Sequence, residues 1–396
     1  MLQTITRYLD SITRSLPAGR LQSVDAFRGM AVMGMILVNN PGSWSYVYPP
    51  LLHAEWHGWT VTDLIFPFFL FIVGVSLNLS LGGLQGRALP EGIYRKIGVR
   101  ALKLYGLGLF LVLFYYNFAD PNFNWFEDKL GRVRIMGVLQ RIGLVFFLGA
   151  LLVLHLRRTQ LAVTAVGLMA VYWACMMLVP YTDDAGNTYV GLLEKGNSFA
   201  AWMDHVVLGA DHNYYRSTEP FTFDPEGLFS TLPALASCLL GAIAGSFLQN
   251  TTTAGMRNLA IGGAVLAIVG QLSAHWIPIN KALWTPSFVL LTAGLAAMAL
   301  AACVWLIDLR GYRRWSALFV VCGVNAIAIY MFSGVMARIL MMARVGETSA
   351  KGWFFESVYA PAFGQYFGSL LFALSFLVIG YLLMDWMFRR RIFWKV

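Results

Sequence analysis

Apolar residues in this chain run together in stretches of about 20, the length a helix needs to cross the hydrocarbon core of a bilayer. Such runs fall near residues 27–47, 61–82, 98–118, 133–155, 160–180, 228–248, 257–276, 285–307, 316–341 and 364–388. The pattern predicts an all-α fold, a polytopic transmembrane helix bundle of about ten spans. A different pattern opens the chain. In MLQTITRYLDSITRSLPAGR, Leu2, Ile5, Leu9, Ile12 and Leu16 share one helical face while Arg7 and Arg14 lie elsewhere, as in an interfacial amphipathic helix. A secretory signal peptide would need an unbroken apolar core and a small-residue cleavage site. The expected organisation is therefore a cytoplasmic amphipathic segment, 1–20, followed by a transmembrane domain, 21–396. The longest hydrophilic stretch, about 181–227, reads as a periplasmic loop too short for a separate domain.

Composition supports the membrane reading, since 58% of the 396 residues are hydrophobic and 12% charged, against about 45–50% and about 25% in soluble domains. The net charge of +9 arises from 29 basic and 20 acidic residues. Assigned to the ends of the runs, nineteen Lys and Arg fall on one side and eight on the other. By the positive-inside rule both termini are cytoplasmic, in agreement with an even number of spans. The basic excess is thus topological and gives no reason to expect nucleic acid. Cys175, Cys238, Cys303 and Cys322 all sit in apolar runs, so neither a disulfide framework nor a thiolate metal site is expected.

With charge this scarce, ionisable groups at membrane depth stand out, because each costs about 2.5–3.5 kcal/mol to insert at a helix centre. Asp25 and Arg28 lie three residues apart at the start of the first span, suited to a local ion pair or to a ligand. Asn39 and Asn40 near its far end either terminate the helix or face a site. The segment LLHAEWHGWTVTDLIFPFFLFIVG then places His53, Glu55 and His57 in an outer connection and Asp63 about one turn inside the next span. Histidine suits proton transfer near neutral pH, and a carboxylate can orient it. The spacing matches no standard zinc pattern, and no metal is expected. In EDKLGRVRIMGVLQRIG, Arg134 and Arg141 share nearly one helical face, with Gln140 alongside. Guanidinium groups suit phosphates and carboxylates, and outer carboxylates compete for them. FDPEG (Asp224), PINKALW (Lys281, Trp284) and GVNAIAIY (Asn325, Tyr330) place further polar residues beside apolar runs.

The segments RLQSVDAFRG, HAEWHGWTVTDLIFPFFLFIVG, RVRIMGVLQRIG, FDPEG, NKALW, GVNAIAIY and the terminal RRRIFWKV, in that order, resemble the heparan-α-glucosaminide N-acetyltransferase family, transmembrane acyltransferases. The resemblance implies transfer of acetyl from cytosolic acetyl-CoA to a glucosamine amine across the bilayer. It implies His53 as active-site histidine, acting as base or acetyl carrier, with Asn39, Asp63 and Arg134 in the same cavity. Asp63 is expected to orient His53 or to bind the sugar, and Asn39 to donate to the thioester oxygen.

Expected donor contacts are Arg28, Arg134, Gln140, Arg141, Trp284 and Asn325; expected acceptor contacts are Glu55, His57, Asp224 and Lys281. Two departures bear on the acceptor. His57 stands where the lysosomal enzyme carries Asn, and no large luminal domain precedes the bundle. The expectation is a bacterial inner-membrane form acting on an amino sugar or small glycan. Membrane lipid is a second partner, and a homodimer stays open. Rival readings are an amino-sugar transporter, which predicts alternating access, and a scaffold whose polar residues only pair helices.

Overall fold

The computed structural model describes residues 2–15 and 19–394, without the side chains of residues 2–5 and 14. Leu16 and Lys395 lie outside these positions, as do the side chains of Leu2, Ile5 and Arg14. The helices are α1 (Leu2–Ser15), α2 (Gln22–Asn39), α3 (Val61–Leu81), α4 (Ile93–Leu113), α5 (Val138–His155), α6 (Arg158–Leu178), α7 (Phe199–Leu208) and α8 (Thr231–Ser246). They continue with α9 (Thr253–Ser273), α10 (Pro286–Cys303), α11 (Ala317–Val324), α12 (Ala326–Met342), α13 (Ala350–Phe354), α14 (Ala360–Phe363) and α15 (Gln365–Arg389). Three short antiparallel hairpins, two of them between α6 and α7, are the strand content among the described residues.

A helix overlaps each of the ten apolar runs, and α1 covers the amphipathic segment. Among the described residues, six helices are long and apolar enough to cross a membrane: α3, α5, α6, α9, α10 and α15. A seventh results if α11 and α12, bent by 70° at Asn325, count as one span. The remaining expected spans fall short in apolarity or length. Asp25 and Arg28 interrupt α2, four Lys and Arg occupy the first half of α4, and α8 has only 16 residues. The protein is therefore a multi-pass helical membrane protein with six or seven spans recognisable by length and composition.

Glycine brings the central helices together. A side chain at Gly74 of α3 would strike the carbonyl of Cys238, and one at Gly241 of α8 would strike that of Phe71. Gly29 of α2 and Gly323 of α11 meet Phe319 and Asp25 in the same way. Within lipid the hydrophobic effect does not drive helix association, so this close backbone approach is a main source of packing energy. The segment after α6 folds around buried Tyr181, Phe199, Phe221 and Phe223, and Trp56 donates its indole N–H to the carbonyl of Leu193 at 2.7 Å. The expected outer loop is thereby a folded cover laid against the α2–α3 connection.

Candidate active site

Asp63 organises the first cavity. Thr60 is the N-cap of α3 and Asp63 its third residue, and the two form a reciprocal capping box. Asp63 Oδ2 accepts the backbone N–H groups of Ala54 and Thr60, both at 3.0 Å. Oδ1 lies 2.6 Å from His53 Nδ1. An ionised carboxylate only accepts, so Nδ1 carries the proton and Nε2 presents its lone pair. Asp63 is buried, whereas the His53 side chain is 45% exposed toward the cavity. Backbone donors hold the carboxylate, and the carboxylate in turn holds the ring.

Lys281 approaches from the turn before α10, its Nζ 3.1 Å from His53 Nδ1, 3.2 Å from Nε2 and 3.7 Å from Asp63 Oδ1. Burial lowers its pKa, while Glu226 and Asp63 oppose that shift. Asn280 builds the turn: its Oδ1 accepts the Leu283 N–H at 2.9 Å, and its amide meets His57 Nδ1 at 3.3 Å. Partial burial lowers the pKa of His57, which packs beside Trp56.

The cavity, about 270 Å³, is lined by Asn39, His53, Glu55, Asp63, Arg134 and Lys281 among others. Asn39 and Glu55 make no side-chain hydrogen bond within the protein among the described residues, which leaves the Asn39 amide free for a ligand. Arg134 is fixed by a fork to Asp224, with Nε–Oδ2 and Nη2–Oδ1 both 2.6 Å, and by Glu226 at 2.5 Å. FDPEG is itself clamped from below. Asp204 accepts the N–H groups of Asp224 at 3.3 Å and Leu228 at 2.8 Å, and burial beside Asp224 pushes its pKa up to about 7.

A second cavity, about 990 Å³, opens at the opposite end of the bundle. It is lined by the first half of α2, the second half of α3, the tip of α15 and residues of α1, and it holds Arg20, Arg28, Arg100, Arg389 and Arg391 with Asp385 the sole lining carboxylate among the described residues. Arg28 meets Asp25 at 3.3 Å, an i,i+3 ion pair, and donates to Ser76 at 2.8 Å. The two cavities stack along α3 and α5. The outer one reaches Phe66 and Val138, and the inner one reaches Phe69 and Ile142, a separation of about one helical turn, or roughly 5–6 Å.

The expected site residues thus divide. His53, Asn39, Asp63, Arg134, Glu55 and Lys281 share the outer cavity, and Arg28 lines the inner one. Gln140 lines a smaller recess beside Asn39 and Arg134. Asp224 is buried beneath Arg134. Arg141 and Trp284, expected as donor contacts, are fully buried and line neither cavity. Arg141 donates to the Gly227 carbonyl at 2.9 Å and lies 5.2 Å over the Trp284 ring. Asn325 instead holds the chain terminus. Glu226, Arg100 and Arg391 did not emerge as site residues from the sequence. Among the described residues, no group of three or more His, Cys, Asp or Glu is placed to hold a metal ion.

A helical bundle with a histidine–carboxylate pair in one cavity and a cationic cavity stacked against it defines a multi-pass membrane protein with two internal cavities. Residues 20–279 match the family model described as the catalytic region of heparan-alpha-glucosaminide N-acetyltransferase, and the chain belongs to that family. It is 27% identical to the mouse protein of that name over 431 aligned positions, covering 97% of this chain and 62% of the relative. The human protein is also 27% identical, over 95% of this chain and 60% of its own length. The chain thus spans about three-fifths of the curated relatives it matches.

Proposed function

We propose that the protein is a membrane acetyltransferase that moves acetyl from acetyl-CoA to the amine of a glucosamine-containing acceptor. Family membership supports the reaction class, and the relatives' names supply the acceptor chemistry. The observation that carries the reading is the stacking of the two cavities across about one turn of α3 and α5. An acyl donor seated among the arginines of the inner cavity would reach His53 with its thioester end.

Residues of the inner cavity would hold the donor. Arg20, Arg28 and Arg100 supply positive charge for phosphates, and Phe69, Val73 and Phe146 supply an apolar wall for the connecting arm. The basic side of the chain faces the cytoplasm on this reading, and the acceptor enters from the other face. The ammonium gives its first proton to solvent; as the amine nitrogen bonds to the carbonyl carbon, His53 Nε2 takes its second proton, the carbon–sulfur bond breaks, and the imidazolium returns that proton to the sulfur so that CoA leaves as the thiol. Asn39 donates to the carbonyl oxygen as charge develops there. In a two-step route, Nε2 bonds to the carbonyl carbon first as the carbon–sulfur bond breaks and CoA leaves, and the amine then takes the acetyl group as the bond to Nε2 breaks.

The test is turnover of purified protein with labelled acetyl-CoA and a panel of amino sugars. N-acetylation that requires both substrates supports the reading. Accumulation of unmodified amino sugar in vesicles, without acetylation, replaces it with transport. Label retained on the protein before acceptor is added identifies the two-step route.

A further inference from the structure

Two of the sequence segments have no part in the chemistry above, and the structure brings them together. Asn325 sits at the break between α11 and α12, 1% exposed, and its side chain grips the end of the chain. Its Nδ2 donates to the Ile392 carbonyl at 3.0 Å, and its Oδ1 accepts the Trp394 N–H at 3.0 Å. One amide thus satisfies an acceptor and a donor two residues apart, much as a neighbouring strand would. Arg391, in the left-handed region at φ 55°, turns the chain off the end of α15, and Ile392 N–H returns to the Met387 carbonyl at 2.9 Å. Such a conformation in a residue with a side chain is sparsely populated and persists where surrounding contacts enforce it.

This strap forms part of the wall of the inner cavity, where Arg391, Phe393 and Trp394 line the space shared with Arg28 and Arg100. Phe393 and Trp394 remain 41% and 44% exposed. Arg391 has no carboxylate partner among the described residues, while the neighbouring Arg389 is paired with Asp385 at 2.7 Å. A flat aromatic surface and an uncommitted guanidinium, locked in place by a buried amide, suit a base and its phosphates.

We propose that residues 391–394 form the clamp for the nucleotide end of the donor, an adenosine bearing phosphates. Trp394 and Arg391 contact that ligand, and Asn325 is a positioning residue that acts through the strap. The inference rests on the acyl-CoA donor reading given above.

The experiment uses the full chain in detergent, with 3′,5′-ADP and CoA as binding probes and acetyl-CoA and acetyl-pantetheine as alternative donors. Trp394→Leu and Asn325→Ala are expected to weaken binding of both nucleotide probes about tenfold. They raise KM for acetyl-CoA with kcat nearly unchanged, and they leave turnover with acetyl-pantetheine, which lacks the nucleotide, at the wild-type level. Equal losses with both donors, or unaltered nucleotide binding, overturn the clamp. Trp394→Leu lies at the exposed end of the chain and keeps the test valid if Asn325→Ala fails to fold. A wild-type protein that binds neither CoA nor 3′,5′-ADP refutes the donor reading itself, and the clamp with it.

Discussion

The carboxylate of Asp63 that caps α3 is also the one that holds His53, at 2.6 Å from Nδ1. Helix start and active-site geometry are therefore one structural unit. Asp63→Asn retains one acceptor and adds an amide donor, so it permits the ring to flip or to take the other tautomer. Loss of activity by about 100-fold or more is expected for both Asp63→Asn and His53→Ala. Acetyl transfer with purified variants of normal melting temperature checks this. A fully active His53→Ala protein removes the histidine from the mechanism.

Lys281 stands against the reacting ring. Its Nζ lies 3.1–3.2 Å from the two ring nitrogens of His53 and 3.7 Å from Asp63 Oδ1, so it helps to hold the ring in place. Lys281→Met removes that contact, and a loss of activity of about tenfold or more is expected, since a hydrogen bond to a charged group is worth about 1.5–3 kcal/mol. Acetyl transfer by the purified variant checks this, and an unchanged kcat with only KM raised assigns Lys281 to acceptor binding instead.

Asp204 ties stability to pH. Burial beside Asp224 raises its pKa to about 7, whereas an unfolded aspartate titrates at about 3.9. Between these values the folded protein holds the extra proton, so stability falls as pH rises through that window and is lowest above it. Melting temperature in detergent should therefore drop between about pH 4 and 7 in the wild type and level off above that. Asp204→Asn, which does not titrate, should show a shallower drop. Equal slopes in the two proteins refute the assignment.

The α3–α8 crossing predicts intolerance of bulk. Gly74→Leu or Gly241→Leu forces two backbones apart, and overpacking of this kind costs about 1–3 kcal/mol or more. Reduced yield of monodisperse protein by size-exclusion chromatography is expected. Gly167→Leu, at a position on α6 where an added side chain meets nothing, should behave as wild type.

Much of this organisation is legible in the residues themselves. Apolar run length places the helices, and scarcity of charge singles out His53, Asp63, Asn39 and Arg134, which do share a cavity. The capping role of Asp63 was also present in the spacing Thr60-x-x-Asp63. Other relationships depend on contacts that no local pattern encodes. Lys281 meets His53 across 228 positions, and Asn325 meets Trp394 across 69. Arg141 shows the converse difficulty. A buried guanidinium reads identically in sequence whether it awaits a phosphate or, as found, the Gly227 carbonyl.

The thin partition between the cavities has an electrical consequence. Water-filled mouths on either side of Phe66 and Phe69 would confine most of a transmembrane voltage to that layer. A proton or phosphate charge displaced across it would feel nearly the full field, about 2.3 kcal/mol per elementary charge per 100 mV. Proton release at His53 would then be coupled to the energised state of the membrane. Turnover in sealed vesicles under an imposed diffusion potential would show that coupling as a voltage-dependent rate, and an identical rate in both polarities would exclude it.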